Sequence, residues 1–344
     1  MSGKSSRIRD KIVDLAQKKG RDGIYQKDLQ ISLGISKSYC SEQLAFLSAK
    51  EHVVAKLKEG GLVKIYHIEY YPDIIEGVIR VGMLRSSEYI PSIAAFNEVF
   101  SDSGSKVFFR FYDGTRELFQ DFNRGTLEFM LAPTTATIMS GIVEDNLVII
   151  SGLASGGSGI LSHQTGRSAI LSTELSSMIS LASESMGHEF PVEIESFDNP
   201  REALNDFITG KCRMIAIWEP YYSHILQQPG NSVAVEYRDV MGDFPCCCAA
   251  VSKRFFELWK RLIGRWIVEY RKMAGLKDFT SIKFRKAIRI VSEGTGIHEA
   301  LVEKSLMNYD FSSNHIGLEK LKKMSINLSA RQKERLFLAD TLVD

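Results

Sequence analysis

The sequence predicts an α/β protein in two parts: a small, mostly helical head with a β-hairpin, and a larger body of alternating strands and helices. Three observations carry this expectation. At 344 residues the chain exceeds what one compact core usually holds. Residues 1–70 show short helical stripes followed by two β-rich runs. From residue 77 onward apolar strand-like runs alternate with helical segments, the pattern of a parallel sheet covered on both faces.

In the head, Ile8, Ile12, Leu15 and Ala16 recur at helical spacing and give a first amphipathic helix ending at Gly20. Lys27 to Leu33 form a short second helix that stops at Gly34, a residue free to take a left-handed conformation. Ser36 is placed to cap a third helix, in which Cys40, Leu44 and Leu47 face inward and Lys37, Ser38, Ser41 and Glu42 outward. VVAKLKEGGLVKIYHI then reads as a hairpin turning at Glu59-Gly60-Gly61. Pro72 and Gly77 mark a short linker.

In the body the expected strands are VIRVGML, KVFFRFY, EFMLAP, LVIISGL, SAIL, PVEIESF and MIAIWEP. Between them lie the helices IPSIAAFNEVF, DGTRELFQDFNRG, TTATIMSG, TELSSMISLASESMG and EALNDFITG, the last announced by Asn199-Pro200-Arg201-Glu202: a cap, a proline at the first helical position and an early acid. From Phe255 the chain reads as largely helical.

Composition is that of an ordinary globular protein, 44% hydrophobic and 25% charged, with a net charge of +1. Residues 1–70 carry 13 Lys/Arg against 8 Asp/Glu, a basic head on a slightly acidic body, as expected if only the head meets an anionic partner. The N-terminus has no apolar core of signal-peptide length, and five cysteines, an odd number, suit a reducing compartment. A cytoplasmic protein without membrane contact is therefore expected.

Residues 5–70 resemble the winged helix-turn-helix transcription regulators. The likeness rests on LGIS before the third helix, SEQLAFL within it and the two-stranded wing. It implies a DNA-binding domain over 1–71, with the third helix in the major groove. Ser36, Lys37, Ser38 and Ser41 would then contact base edges or phosphates, and Lys56, Lys58 and Lys64 the phosphate backbone. Residues 77–300 resemble the type II periplasmic solute-binding proteins, in particular the group that binds nitrate, alkanesulfonates and thiamine-pyrimidine precursors, which implies a ligand-sensing domain over 72–344. EFMLAPTTATIMSG, VIISGLASGGSGILS, ALNDFITGKCRMIAIWEPYY and CCCAAVSKRFFELWKRL carry that resemblance. It implies a two-lobed α/β body, lobe one being 77–157 with 241–344 and lobe two 158–240.

In open parallel sheets ligands bind beyond the carboxyl ends of strands. The expected ligand-binding residues are therefore Arg85, Ser86 and Ser87 after the first strand; Thr134 and Thr135 after EFMLAP; and Ser155, Gly156, Gly157 and Ser158 at the first crossover. Ser172 and Thr173 at a helix start, Trp218 and Glu219 at the end of MIAIWEP, and Phe244 and Cys246 at the return crossover complete the set. Arg85 and the helix N-termini favour an anion; Trp218 and Tyr221 suit a flat heteroaromatic.

SGLASGGSG lacks the Gly-Lys-Ser/Thr ending of a P-loop and reads as a hinge. The seven histidines show no ligand spacing, so no metal or other cofactor is expected. On a strand Cys246 and Cys248 would share a face, as buried packing or as paired thiols. The thiamine-pyrimidine synthases of similar architecture carry a longer cysteine run, of which the last cysteine is missing here. The combined expectation is a one-component, small-molecule-responsive, DNA-binding transcription regulator, a homodimer on double-stranded DNA and not an enzyme. The alternatives are a synthase-like cytoplasmic enzyme, or a ligand-free solute-binding fold used for dimerisation.

Overall fold

The computed structural model describes residues 2–101, 104–172, 193–276, 278–312, 315–324 and 326–343. Thr173 and the expected helix TELSSMISLASESMG lie outside the described residues.

The head runs α1 (Ser2–Lys19), β1 (Ile24–Tyr25), α2 (Gln26–Leu33), α3 (Lys37–Phe46), β2 (Val54–Glu59) and β3 (Leu62–His67), with strand order β1-β3-β2. Ile12, Ala16, Leu29, Cys40, Leu44, Leu47 and Ile65 form its core, each fully buried. Gly34 ends α2 at φ 61°, so the chain reverses sharply where a side chain would be strained. The Ser36 hydroxyl accepts from the Tyr39 amide and starts α3.

The body begins with β4 (Val78–Leu84), α4 (Ile90–Ser101), β5 (Lys106–Tyr112), α5 (Thr115–Asn123), β6 (Phe129–Pro133), α6 (Thr134–Glu144), β7 (Leu147–Gly152) and β8 (Ser155–Gly156). There follow β9 (Ser158–His163), β10 (Arg167–Ser172), β11 (Glu193–Ser196), α7 (Pro200–Ile208), β12 (Cys212–Trp218), α8 (Tyr221–Leu226), β13 (Asn231–Glu236), α9 (Tyr237–Met241) and β14 (Cys247–Ser252). Next are α10 (Lys253–Ala274), α11 (Ile282–Thr295), α12 (Glu299–Ser305) and β15 (Tyr309–Asp310), with two short helices at 318–323 and 330–336.

Two five-stranded sheets result, ordered β5-β4-β6-β14-β7 and β11-β10-β12-β9-β13. Neither is wholly parallel. β14 runs antiparallel to β6 and β7, and β9 antiparallel to β12 and β13. The alternation of strands and helices did not reveal this, because β9 and β14 enter their sheets from the other lobe rather than through a local helix. The first sheet is covered by α4 and α10, whose Phe96 and Trp266 meet Phe129 at ring-centroid distances of 4.9 and 5.7 Å. Among the described residues no helix is long and apolar enough to cross a membrane.

The head is docked on the first lobe. VIRVGML, which reads as an apolar strand, buries Arg80 to 1% exposure. Its guanidinium pairs with Glu128 at 2.5 Å and donates to the carbonyls of Ile68, Tyr71 and Asp73 in the linker. Nearby, the buried Asp121 of α5 takes Arg21 from the head at 2.6 Å and Arg110 from β5 at 2.9 Å, and accepts from the Tyr112 hydroxyl. A buried charge is tolerable only when compensated in this way.

Candidate functional site

Between the two sheets lies a cavity of about 470 Å³. Its walls come from the carboxyl ends of strands in both lobes: Leu84 ends β4, Asp113 and Gly114 follow β5, Pro133 ends β6, Phe197 follows β11 and Trp218 ends β12. Cys246 and Cys247 belong to the same edge because β14 runs the opposite way and begins there. This is the place where parallel sheets leave loops and helix starts unpaired.

Aromatic groups shape the floor and one wall. Tyr309 lies against the backbone of Gly157, where a Cβ would come within 2.2 Å of the ring, and Gly157 has φ 67°. Only glycine fits this close approach. The Tyr309 hydroxyl meets Ser86 Oγ at 3.1 Å. Trp218 reaches across from the second lobe, donates through Nε1 to the Arg85 carbonyl at 2.8 Å, and lies 6.3 Å from the Phe197 ring at an interplanar angle of 30°.

Glu88 sits deepest. Burial pushes its carboxyl up to about 7, although the neighbouring thiols and the Ala154 amide, which donates at 3.1 Å, pull the other way. Cys246 Sγ donates to Glu88 at 3.4 Å, and Cys247 Sγ lies 3.3 Å from the Tyr89 hydroxyl. The Cys247 thiol is held well above its ordinary range by its bond to Cys246 and by burial, and burial raises Cys248 to about 12. At neutral pH these thiols are protonated and poor nucleophiles. The pairing also differs from that expected of a regular strand. Cys246 precedes β14, so its sulfur joins Cys247 and Glu88, with all three donor atoms within 4.8 Å of one another. Cys248 turns away towards Thr134 and Thr137. The trio is the only group among the described residues arranged to hold a metal ion.

Of the residues expected to bind ligand, Ser86, Gly156, Gly157, Ser158, Trp218 and Cys246 line the cavity. The others that are described stand off it. Arg85 pairs with Asp113 at 2.5 Å and donates to the Gly294 carbonyl. Ser87 accepts from the Ser305 hydroxyl at 2.7 Å. Thr134 donates to the Pro245 carbonyl at 2.8 Å, and Thr135 lies beside it on α6. Ser155, Ser172 and Phe244 are buried behind the wall. Glu219 is fully buried, accepting from the Ser223 hydroxyl and from Asn308, and so ties α8 to the first lobe. The lining also includes Glu88, Tyr89, Asp113, Glu117, Phe197, Asp198, Glu202 and Tyr309. The only sequence signals for these were strand-end positions and the acidic starts of α5 and α7.

In the head, Ser36, Lys37, Ser38, Lys56 and Lys58 are exposed. Ser41 accepts from Gln26 at 2.8 Å. Lys64 lies 5.5 Å from the ring centres of Tyr25 and Tyr66.

No family model matches the sequence, and no curated protein matches it. Solved structures do match in fold. The alkanesulfonate-binding protein of Xanthomonas axonopodis pv. citri, bound to MOPS, superposes with a TM-score of 0.59 at 16% identity, over 78% of this chain and 99% of that one. The periplasmic aliphatic sulphonate binding protein of Escherichia coli gives 0.58 at 14%, over 77% and 98%. The periplasmic nitrate-binding protein of Synechocystis PCC 6803 gives 0.60 at 10%, over 76% and 86%. The body thus has the two-lobed periplasmic-binding-protein-like α/β fold.

These likenesses correct several expectations. The expected DNA-binding transcription regulator, with double-stranded DNA as its partner, is not upheld: these neighbours are described as sulfonate- and nitrate-binding proteins. The homodimer rested on a paired operator and loses its ground with it. The expected cytoplasmic placement is not upheld either: two of these neighbours, those of Escherichia coli and Synechocystis, are described as periplasmic. None of them ties the head to the winged helix-turn-helix family.

Proposed function

We propose that this chain is a solute-binding protein that holds one small molecule between its two lobes. The observation that carries the reading is the cavity itself: about 470 Å³, walled by strand ends from both sheets. Its mix of apolar walls and a few polar groups is typical of small-molecule sites. The lobes are bridged across the opening, with Trp218 donating to Arg85 and the Tyr221 hydroxyl to the Thr295 carbonyl at 3.2 Å. A ligand that favours this closed arrangement would shift the balance of open and closed forms towards it. On this reading the boundaries are lobe one 77–157 with 241–344 and lobe two 158–240. For residues 1–71 we propose a winged-helix-like unit, on the grounds of its element order and its β1-β3-β2 sheet.

Native mass spectrometry of the freshly purified chain is the direct test. We expect a retained small mass in the wild type and its loss in Trp218→Ala. A chain that carries no small molecule, and that gains no thermal stability from any member of a broad metabolite panel, would refute the reading.

A further inference from the structure

The neighbours described as binding sulfonate and nitrate would suggest an anion, but the charges lining this cleft have the opposite sign. Among the described residues five carboxyl groups line it, Glu88, Asp113, Glu117, Asp198 and Glu202, against one guanidinium, that of Arg116. The two other arginines nearby are engaged at the C-terminus of α11. Arg85 donates to the Gly294 carbonyl and pairs with Asp113; Arg201 donates to the carbonyls of Gly294 and Thr295 at 2.8 and 3.0 Å. Unpaired carbonyls at a helix end attract such cations. Two of the helix N-termini at the cleft among the described residues, which would otherwise favour an anion, carry a carboxylate in the first turn, Glu117 on α5 and Glu202 on α7, while α6, which starts beside Pro133, carries none. With Asp113 set against Arg85, Glu117, Asp198 and Glu202 remain in the described lining together with Arg116. The same lining is aromatic through Trp218, Phe197 and Tyr309.

We infer that the cleft selects a cationic aromatic or heteroaromatic solute, an aryl ring bearing an ammonium or amidinium group, and discriminates against sulfonates and nitrate. This rests on the solute-binding reading above and adds the ligand class to it. The ring would lie against Trp218 and the charge would point to the acidic rim, where aromatic faces and carboxylates both favour a cation.

The test uses the full chain and three aryl probes of similar size, benzylammonium, benzyl alcohol and benzenesulfonate, titrated by ligand-observed NMR. We expect affinity to fall in that order, with about ten-fold between cation and anion, since the rim carboxylates are exposed and each contributes modestly. In the double variant Glu117→Gln/Glu202→Gln, both positions exposed, the gap should narrow while benzyl alcohol is unaffected. An equal or reversed order, or no binding by any probe, would overturn the proposed class. In those cases a small mass that native spectrometry still finds, and that Trp218→Ala removes, would leave the solute-binding reading standing.

Discussion

Two arginines stand at opposite ends of β4 and do different work. Arg80, at the end nearer the head, is 1% exposed, pairs with an equally buried Glu128, and gathers linker carbonyls. Arg85, just past the cleft end, pairs with Asp113, whose side chain is 41% exposed. One holds the head to the body. The other shapes the charge of the site without entering it. The lesson is that an arginine's role depends on which acceptors its surroundings leave open, and five residues of strand are enough to change them.

The largest effect should follow from breaking the buried end. Arg80→Met leaves Glu128 uncompensated and should cost about 3–5 kcal/mol in urea unfolding. Per mole of folded protein, ligand uptake should be unchanged. A loss below about 1 kcal/mol would show that water reaches Glu128 and would erase the contrast.

At the cleft end Glu88 should govern pH dependence. Its folded pKa, raised by burial from 4.5 to about 7, lies above the unfolded value, so the folded state holds a proton that the unfolded state has released. Stability is therefore undiminished below pH 4.5, declines as pH rises towards 7, and levels off above, by roughly 3 kcal/mol in all. Glu88→Gln should flatten that slope in denaturation curves taken at pH 5 and pH 8. An unchanged slope would place its origin elsewhere.

Next is Asp121, the second tie between head and body. Asp121→Asn removes the charge that Arg21 and Arg110 share and should cost about 2 kcal/mol. Limited proteolysis should then cut the linker at 68–77 faster than in the wild type, while cutting elsewhere stays the same. The smallest effect belongs to Arg85→Gln. Its pair is partly solvated, so stability should change by less than about 1 kcal/mol. Freed of its partner, Asp113 adds to the negative rim, and benzylammonium should bind a few-fold more tightly.

Much of the local architecture was legible in the residues. Gly34 and Ser36 mark the turn between α2 and α3, and Asn199-Pro200 marks the start of α7, where the Asn199 side chain accepts from the Arg201 amide at 2.9 Å. Strand direction was not legible. β9, β13 and β14 look like any apolar run, and only pairing with distant partners sets their sense. Arg80 inside an apolar strand was read as part of that strand, since nothing local tells that Glu128 and three linker carbonyls will surround it. Trp218 could be placed on the cleft from its strand-end position and Cys246 from the return crossover. Phe197 carried the same strand-end signal without being singled out, and Tyr309 carried none, because it reaches the cleft from a segment far away in sequence.

By itself the sequence determined many of the helices and strands and where several of them stop. Those outcomes depend on neighbours within a few residues, through side-chain periodicity, caps and backbone freedom. The tertiary structure alone decided the sign of the pocket. Arg85, which looks like an anion-binding group in the chain, is drawn to Asp113 and the end of α11, and acids from α5 and α7 are left at the rim. Electrostatic character follows from distance and burial in space, and sequence spacing does not encode either.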